Sequence, residues 1–100
     1  MLIVAGRVVD RERLAAICQA YGVEHLELFG SAARDTVGPT GDIDILYTLW
    51  PGRTLGWEID DLADELSELF GRPVDLVARR ALHAKLRDHV LAEARPLYAA

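Results

Sequence analysis

The chain has 100 residues, of which 51% are hydrophobic and 27% are charged. This balance is too apolar for a disordered chain and too charged for a membrane protein, so it predicts one soluble globular domain spanning residues 1–100. The 16 Asp and Glu residues outnumber the 11 Lys and Arg residues and give a net charge of -5. We therefore expect no direct nucleic-acid binding through a chain-wide basic surface.

Cysteine usage and the first residues indicate the compartment. The single cysteine, Cys18, cannot form an internal disulfide, and no Cys or His pair has the spacing of a zinc site. The apolar opening of residues 1–5 is too short for a signal peptide or a membrane span. We therefore expect a cytoplasmic protein with no membrane interaction.

Apolar periodicity and turn residues predict elements in the order αβαβαβα. Helices are indicated where apolar residues recur at helical spacing, strands where they alternate, and boundaries where Gly or Pro intervenes. In chain order we predict a helix at 11–21 capped by Asp10 and Gly22, a strand at 25–29, a short helix from Ser31, a loop at 35–41, a strand at 42–48, a helix at 59–70 ended by Gly71, a strand at 73–77, and a helix from 82 that closes near 95–96. This alternation predicts an α/β or α+β fold, a small mixed β-sheet with flanking helices.

Asp42 and Asp44 form the first candidate site. Residues i and i+2 of a strand project from the same face, so the two carboxylates share a small region. Such like charges raise each other's pKa unless a cation lies between them, and a hard divalent ion such as Mg²⁺ takes oxygen ligands of this kind. The alternative is the solvent-exposed face of an edge strand.

Asp75 adds a third carboxylate. It lies within the apolar run of residues 74–77, where a charge is costly unless it is paired or bound to a metal. If its strand neighbours the strand of Asp42 and Asp44, the three acids converge as metal-dependent phosphoryl or nucleotidyl transfer requires. The alternative is an aspartate that caps a loop at the end of the strand.

Gly30 and Ser31 are candidates for phosphate binding. A glycine between a strand and a helix lets backbone N–H groups approach a phosphate, and Ser31 adds a hydroxyl donor. Arg34, about one helical turn further on, can reach a phosphate or a carboxylate of the cluster. The alternatives are an ordinary helix N-cap for Ser31 and a solvent-exposed side chain for Arg34.

Together these residues resemble a known family. The segments Leu28-Phe29-Gly30-Ser31-Ala32-Ala33-Arg34 and Gly41-Asp42-Ile43-Asp44-Ile45 are similar to the Gly-Ser-x10-Asp-x-Asp motif of the minimal nucleotidyltransferases of the DNA polymerase β superfamily. The similarity extends through the segment around Asp75 to the tail at Tyr98. The resemblance implies a small mixed sheet, nucleotide phosphates held at Gly30 and Ser31, and Mg²⁺ bound by the acids.

The resemblance also implies an activity and a partner. Members of this size resemble the MntA-like antitoxins of HEPN/MNT systems, in which AMP is transferred from ATP to a hydroxyl, expected to be that of a tyrosine, on a HEPN ribonuclease toxin. Carried over, Asp42, Asp44 and Asp75 would be catalytic metal ligands, with Asp75 also the general base, and Gly30, Ser31 and Arg34 would bind nucleotide. The alternative is a non-catalytic module that neutralises a toxin by covering it.

Three further features leave two interpretations open. The predicted third helix carries an acidic face that is either solvated or a docking surface for a basic partner. The C-terminal basic residues either neutralise a triphosphate or contact RNA, or they complement a helix dipole. Trp50 and Trp57 either stack on a base or a partner, or pack locally. The acids are Glu58, Asp60, Asp61, Asp64, Glu65 and Glu68, and the basic residues are Arg79, Arg80, Lys85, Arg87 and Arg95.

Overall fold

The structure is a computed structural model that describes residues 2–33 and 41–100, with their side chains except at positions 31 and 32. In chain order the elements are β1 (Leu2–Val4), β2 (Arg7–Val9), α1 (Arg11–Tyr21), β3 (Val23–Phe29), α2 (Gly30–Ala33), β4 (Ile43–Leu49), α3 (Glu58–Phe70), β5 (Val74–Ala78), a 3-10 turn (Arg79–Ala81), α4 (Ala84–Glu93) and β6 (Arg95–Ala99). None of the described helices is long and apolar enough to cross a membrane.

Four strands form the main sheet in the order β5-β4-β3-β6, and β1 and β2 form a separate antiparallel hairpin. Strand β3 runs antiparallel to both β4 and β6, whereas β4 and β5 are parallel. Parallel neighbours need a crossover connection, and α3 supplies it here. The predicted fold class, a small mixed sheet with flanking helices, is confirmed.

The predicted element order is wrong because it lacks three strands, β1, β2 and β6. Strands β1 and β2 have only three residues each, too few for an alternating pattern to be recognised. The prediction treated residues 95–96 as the close of the last helix, whereas they begin β6. Pro96 is tolerated there because β6 lies at the edge of the sheet, where a missing N–H need not break a ladder.

The predicted helix boundaries at α1 and α3 are confirmed. The Asp10 carboxylate accepts hydrogen bonds from the backbone N–H groups of Glu12, at 2.9 Å, and Arg13, at 3.3 Å. These bonds satisfy donors that an uncapped helix would leave without a partner. Gly22 and Gly71 end the two helices in the left-handed conformation that glycine adopts without strain.

The core lies between one face of the sheet and helices α1 and α3. It contains Leu14 and Ile17 of α1, Leu62 and Leu66 of α3, and Ile43 and Ile45 of β4. Successive residues of a strand project from opposite faces, so Asp44, between Ile43 and Ile45, faces away from this core. Helix α4 does not pack as its apolar spacing predicts, since none of its residues is buried and Leu86 is 57% exposed.

A serine hydroxyl connects α3 to β5. Ser67 Oγ donates to the carbonyl of Ala63, at 2.6 Å, and accepts from the backbone N–H of Val74, at 3.0 Å. Val74 is the first residue of β5, so this pair of bonds fixes where the strand begins relative to the helix. The strand carries Asp75, one of the predicted site residues.

Candidate active site

Two of the predicted acids lie side by side in the sheet. Asp44 on β4 is the register partner of Asp75 on β5. Adjacent strands are about 4.8 Å apart, and register partners on parallel strands project from the same face. The three acids are expected to converge if the strand of Asp75 neighbours the strand of Asp44, and the two strands are neighbours.

Asp42 lies just before β4, two residues from Asp44, and its charge acts on the same carboxyl. Partial burial raises the pKa of Asp44, and the nearby carboxylates of Asp75 and Asp42 raise it further. Both neighbours are exposed, whereas Asp44 is half-buried. The site is therefore a concentration of negative charge around one partly desolvated carboxyl.

The interpretation of Asp75 as a buried charge is wrong. Its side chain is exposed, because β5 is an edge strand of the sheet and position 75 faces away from the core. Neighbouring Val74 and Leu76 pack against the core from the other face. The apolar run around Asp75 thus reflects the one face of β5 that packs against the core. Asp75 lies near Asp44 because the two residues are register partners, not because Asp75 is buried.

Gly30 contacts the cluster at the start of α2. Its φ is 62°, and a Cβ placed on it would lie 2.7 Å from Oδ2 of Asp44. A side chain at this position would therefore clash with the carboxylate and strain the backbone. The predicted turn between strand and helix is confirmed, and it brings the Gly30 backbone against Asp44.

Two predicted residues are not tested by this geometry. Ser31 lies in α2, but its side chain is outside the described atoms, and Arg34 falls within the segment 34–40 that the structure does not describe. The predicted loop at 35–41 falls in the same segment except for Gly41, which lies two residues before β4. The roles of Ser31 and Arg34 in phosphate binding stay predictions.

The described residues do not contain a preformed metal site. Across residues 2–33 and 41–100, no three His, Cys, Asp or Glu side chains are arranged to hold a metal ion. The donors that converge here are carboxylate oxygens, the ligand type that Mg²⁺ prefers. The chemistry of the donor set fits Mg²⁺, but their present arrangement does not hold it.

Sequence reasoning missed one charged residue on this face of the sheet. Glu27 of β3 is the register partner of Leu46, which lies two residues after Asp44 on β4. Glu27 forms an ion pair with Arg79, whose Nε is 3.6 Å from Oε1 of Glu27. The alternation of apolar Leu26 and Leu28 with Glu27 was the signal that could have placed this carboxylate on the polar face.

Comparison with known proteins gives the family. Residues 11–98 match the family described as "Nucleotidyltransferase domain". The chain belongs to this family. The matched region of this nucleotidyltransferase contains Gly30, Asp42, Asp44 and Asp75.

Individual relatives of this nucleotidyltransferase narrow the comparison. "Putative protein adenylyltransferase MJ0435" of Methanocaldococcus jannaschii is 34% identical over 84 residues, which are 84% of this chain and 89% of the relative. A solved structure described as "Structure of putative minimal nucleotidyltransferase" is 38% identical, with a TM-score of 0.72 and coverage of 87% and 88% of the two chains.

A more distant structure shares the fold. The complex described as "tri-AMPylated Shewanella oneidensis HEPN toxin in complex with MNT antitoxin" contains a chain that matches with a TM-score of 0.61 at 23% identity, over 89% of this chain and 69% of that one. The family resemblance seen in the sequence is confirmed, and the chain is a minimal nucleotidyltransferase in sequence and in fold.

Proposed function

We propose that this nucleotidyltransferase transfers AMP from ATP to a hydroxyl, that of a tyrosine, on a HEPN-type ribonuclease toxin, and that it thereby acts as an antitoxin. The observation that carries the proposal is the register pairing of Asp44 with Asp75 beside the Gly30 backbone. The adenylyltransferase name of the Methanocaldococcus jannaschii relative and the AMPylated toxin of the Shewanella oneidensis complex support the acceptor class.

The chemistry assigns a role to each predicted residue. Gly30, Ser31 and Arg34 hold the phosphates of ATP. The acceptor oxygen attacks the α-phosphorus, the bond from that phosphorus to the bridging oxygen of the β-phosphate breaks, and pyrophosphate leaves with the bonding electrons. The proton of the acceptor hydroxyl passes to the carboxylate of Asp75, whose exposure leaves it accessible to an incoming side chain.

Asp42, Asp44 and Asp75 would hold Mg²⁺. The ion would neutralise the charge that develops on the phosphates during transfer. Asp42 and Asp75 are exposed, so their side chains can change rotamer on the nanosecond scale to close around it. Burial raises the pKa of Asp44 most, and repulsion from Asp75 and Asp42 raises it further. A cation would relieve that repulsion, which supports this assignment.

The family match spans residues 11–98. We propose a single domain over residues 1–100 whose acceptor is an external protein. We propose a cytoplasmic location, because the reaction uses ATP and its acceptor is a ribonuclease.

The second candidate is a module that silences the toxin by covering it. The observation in its favour is that the described carboxylates are not arranged to hold a metal ion. A variant that keeps the surface but lacks the acids should fail to silence the toxin if transfer is required, and should still silence it if covering is sufficient.

The test is incubation of the chain with labelled ATP, Mg²⁺ and the purified product of the neighbouring reading frame. We expect label on the partner, with AMP on a tyrosine by mass spectrometry. Asp42→Asn with Asp44→Asn should abolish labelling, whereas Asp60→Asn with Asp61→Asn, the same change on the exposed face of α3, should retain it. Labelling that survives loss of Asp42 and Asp44 would contradict the proposal, and toxin control without any labelling would favour covering.

A further inference from the structure

A pocket of about 390 Å³ lies at the other end of β4 from the acid cluster. Its walls include Thr48 and Trp50 at the end of β4, Arg79 and Arg80 after β5, and Arg87 of α4. Along a strand of about 3.3 Å per residue, Thr48 is roughly 13 Å from Asp44. The volume falls within the range of small-ligand sites.

An ion pair separates this pocket from the acids. Arg79 follows β5, and its partner Glu27 lies on β3, so the pair crosses the intervening strand β4. Glu27 is in register with Leu46, which is 1% exposed between Asp44 and Thr48. The pocket is therefore a site of its own rather than an extension of the acid cluster.

The walls are positively charged although the chain is not. No Asp or Glu lines the pocket within the described part of the chain. Arg80 has no carboxylate within 4.0 Å among the described residues, and Arg87 makes one hydrogen bond, at 3.5 Å, to the carbonyl of Arg80. That bond holds the Arg87 guanidinium beside the backbone of Arg80, and both residues line the pocket. The fourth arginine, Arg53, contributes less because its guanidinium lies against Gly22.

The indole of Trp50 in the pocket wall favours one class of anionic ligand over another. Trp50 is 45% exposed, and apolar Leu91 of α4 lies in the same lining. An indole face beside guanidinium groups suits a planar base joined to a phosphate, because the base stacks on the ring and the phosphate takes paired N–H donors. An acidic peptide would use the charges but not the ring. Thr48 Oγ1 in the wall is buried and has no hydrogen-bond partner among the described residues.

We propose that this pocket binds a nucleoside phosphate at a site distinct from the acid cluster. The base stacks against Trp50, and the phosphate binds Arg80 and Arg87. The ligand is either a free nucleotide or one nucleotide of a single-stranded RNA, since both present the same group. The pocket is assigned independently of the transfer reaction.

The test uses Trp50 as its own reporter. The chain contains two tryptophans, and Trp57 is 95% exposed, so Trp57→Phe leaves Trp50 as the only indole at little structural cost. AMP is titrated into this variant in EDTA, which removes metal-dependent binding at the acids. We expect AMP to quench Trp50 fluorescence, and ribose 5-phosphate, which lacks the base, to bind at least about tenfold more weakly.

Matched variants locate the site. Arg80→Ala with Arg87→Ala should weaken AMP binding at least about tenfold, because each charged hydrogen bond to phosphate is lost. Lys85→Ala with Arg95→Ala removes two exposed basic residues outside the pocket and should change binding less than about twofold. Asp44→Asn should leave it unchanged. Circular dichroism of each variant checks that the fold is kept.

Comparing the affinity for an oligoadenylate of ten nucleotides with that for AMP shows whether the ligand is RNA or a free nucleotide. Tighter binding than AMP, beyond the gain from having more nucleotides per molecule, indicates RNA, and equal binding per nucleotide indicates a free nucleotide. Either result supports a nucleoside-phosphate pocket. The proposal is overturned if AMP does not quench Trp50, if ribose 5-phosphate binds as tightly as AMP, or if Asp44→Asn abolishes binding. Polyglutamate binding without an AMP response would overturn it in favour of an acidic-peptide surface.

Discussion

Asp44 and Asp75 face each other across two parallel strands, with one carboxyl half-buried and the other exposed. Burial of Asp44, followed by repulsion from Asp75 and Asp42, raises the pKa of that carboxyl above its ordinary value of 3.8. In the folded chain Asp44 therefore binds its proton more tightly than in the unfolded chain. This difference links the stability of the apo protein to pH.

The sign of the link follows from proton binding. Between its unfolded and folded pKa, Asp44 holds more protons in the folded state, so its contribution to the free energy of unfolding is present below pH 3.8 and is lost as the pH rises through the folded pKa. The variant Asp44→Asn does not titrate. We expect its free energy of unfolding, minus that of the wild type, to grow between about pH 3 and pH 6, as measured by urea denaturation.

The same experiment in an Asp75→Asn background tests the cause. Removing one repelling carboxylate should make the growth smaller, because less of the pKa shift of Asp44 remains. Equal growth in both backgrounds would show that Asp75 does not contribute and that burial alone shifts the pKa of Asp44.

Gly30 offers a steric test of the site. Gly30→Ala places a Cβ 2.7 Å from the Asp44 carboxylate, whereas Gly6→Ala, at a similar φ of 78°, meets no atom within 4 Å. Both changes cost about 1 kcal/mol of backbone strain, and only Gly30→Ala adds the clash. We expect it to lower the free energy of unfolding more than Gly6→Ala and to impair AMP transfer.

A double-mutant cycle isolates that clash. In an Asp44→Ala background the extra cost of Gly30→Ala over Gly6→Ala should disappear, because the opposing carboxylate is gone. An extra cost that persists would place its origin in the backbone of α2 instead of in the contact with Asp44.

The variant Asp75→Asn distinguishes catalysis from neutralisation of the toxin by covering it. Asp75→Asn is exposed and isosteric, so it should keep the fold and the partner complex while transfer falls by a factor of about 100 or more, about 3 kcal/mol of barrier. Asp64→Asn makes the same change on the exposed face of α3 and should behave as the wild type. Labelling assays and toxin protection in cells, at equal expression, provide the readouts. Full protection by Asp75→Asn would mean that covering suffices.

Nucleotide binding should be visible as thermal stabilisation. At a Mg²⁺-ATP concentration near 100 times Kd, mass action adds about 2.7 kcal/mol, which raises Tm by several degrees for a domain of this size. We expect EDTA, or Asp42→Asn with Asp44→Asn, to remove most of the shift. A Tm that is unaffected by saturating Mg²⁺ with any of the four nucleoside triphosphates would argue against a nucleotide site at the acids.

Local chemistry made much of this fold predictable. Asp10 and Gly22 bound α1 because capping and left-handed backbone are properties of single residues. The same holds for the common face of Asp42 and Asp44, which follows from the two-residue period of a strand. These signals need no knowledge of distant parts of the chain.

The rest depended on which strands are neighbours. The pairing of Asp44 with Asp75 requires β5 to return beside β4 through α3, and a single sequence does not encode that adjacency in any local pattern. The exposure of Asp75 and the strand at Pro96 were mispredicted for a related reason, since each depends on lying at an edge of the sheet. The pocket at Trp50 joins residues from three segments and could not be predicted from spacing.

The Ser67 hydroxyl connects the acidic helix α3 to the strand that carries Asp75. One side of α3 presents only exposed carboxylates to solvent, and the other side holds the first residue of β5 through a single side-chain hydrogen bond. Asp75 is the next residue of that strand. Because Val74 directly precedes Asp75, this hydrogen bond ties the spacing between Asp75 and Asp44 to the position of α3.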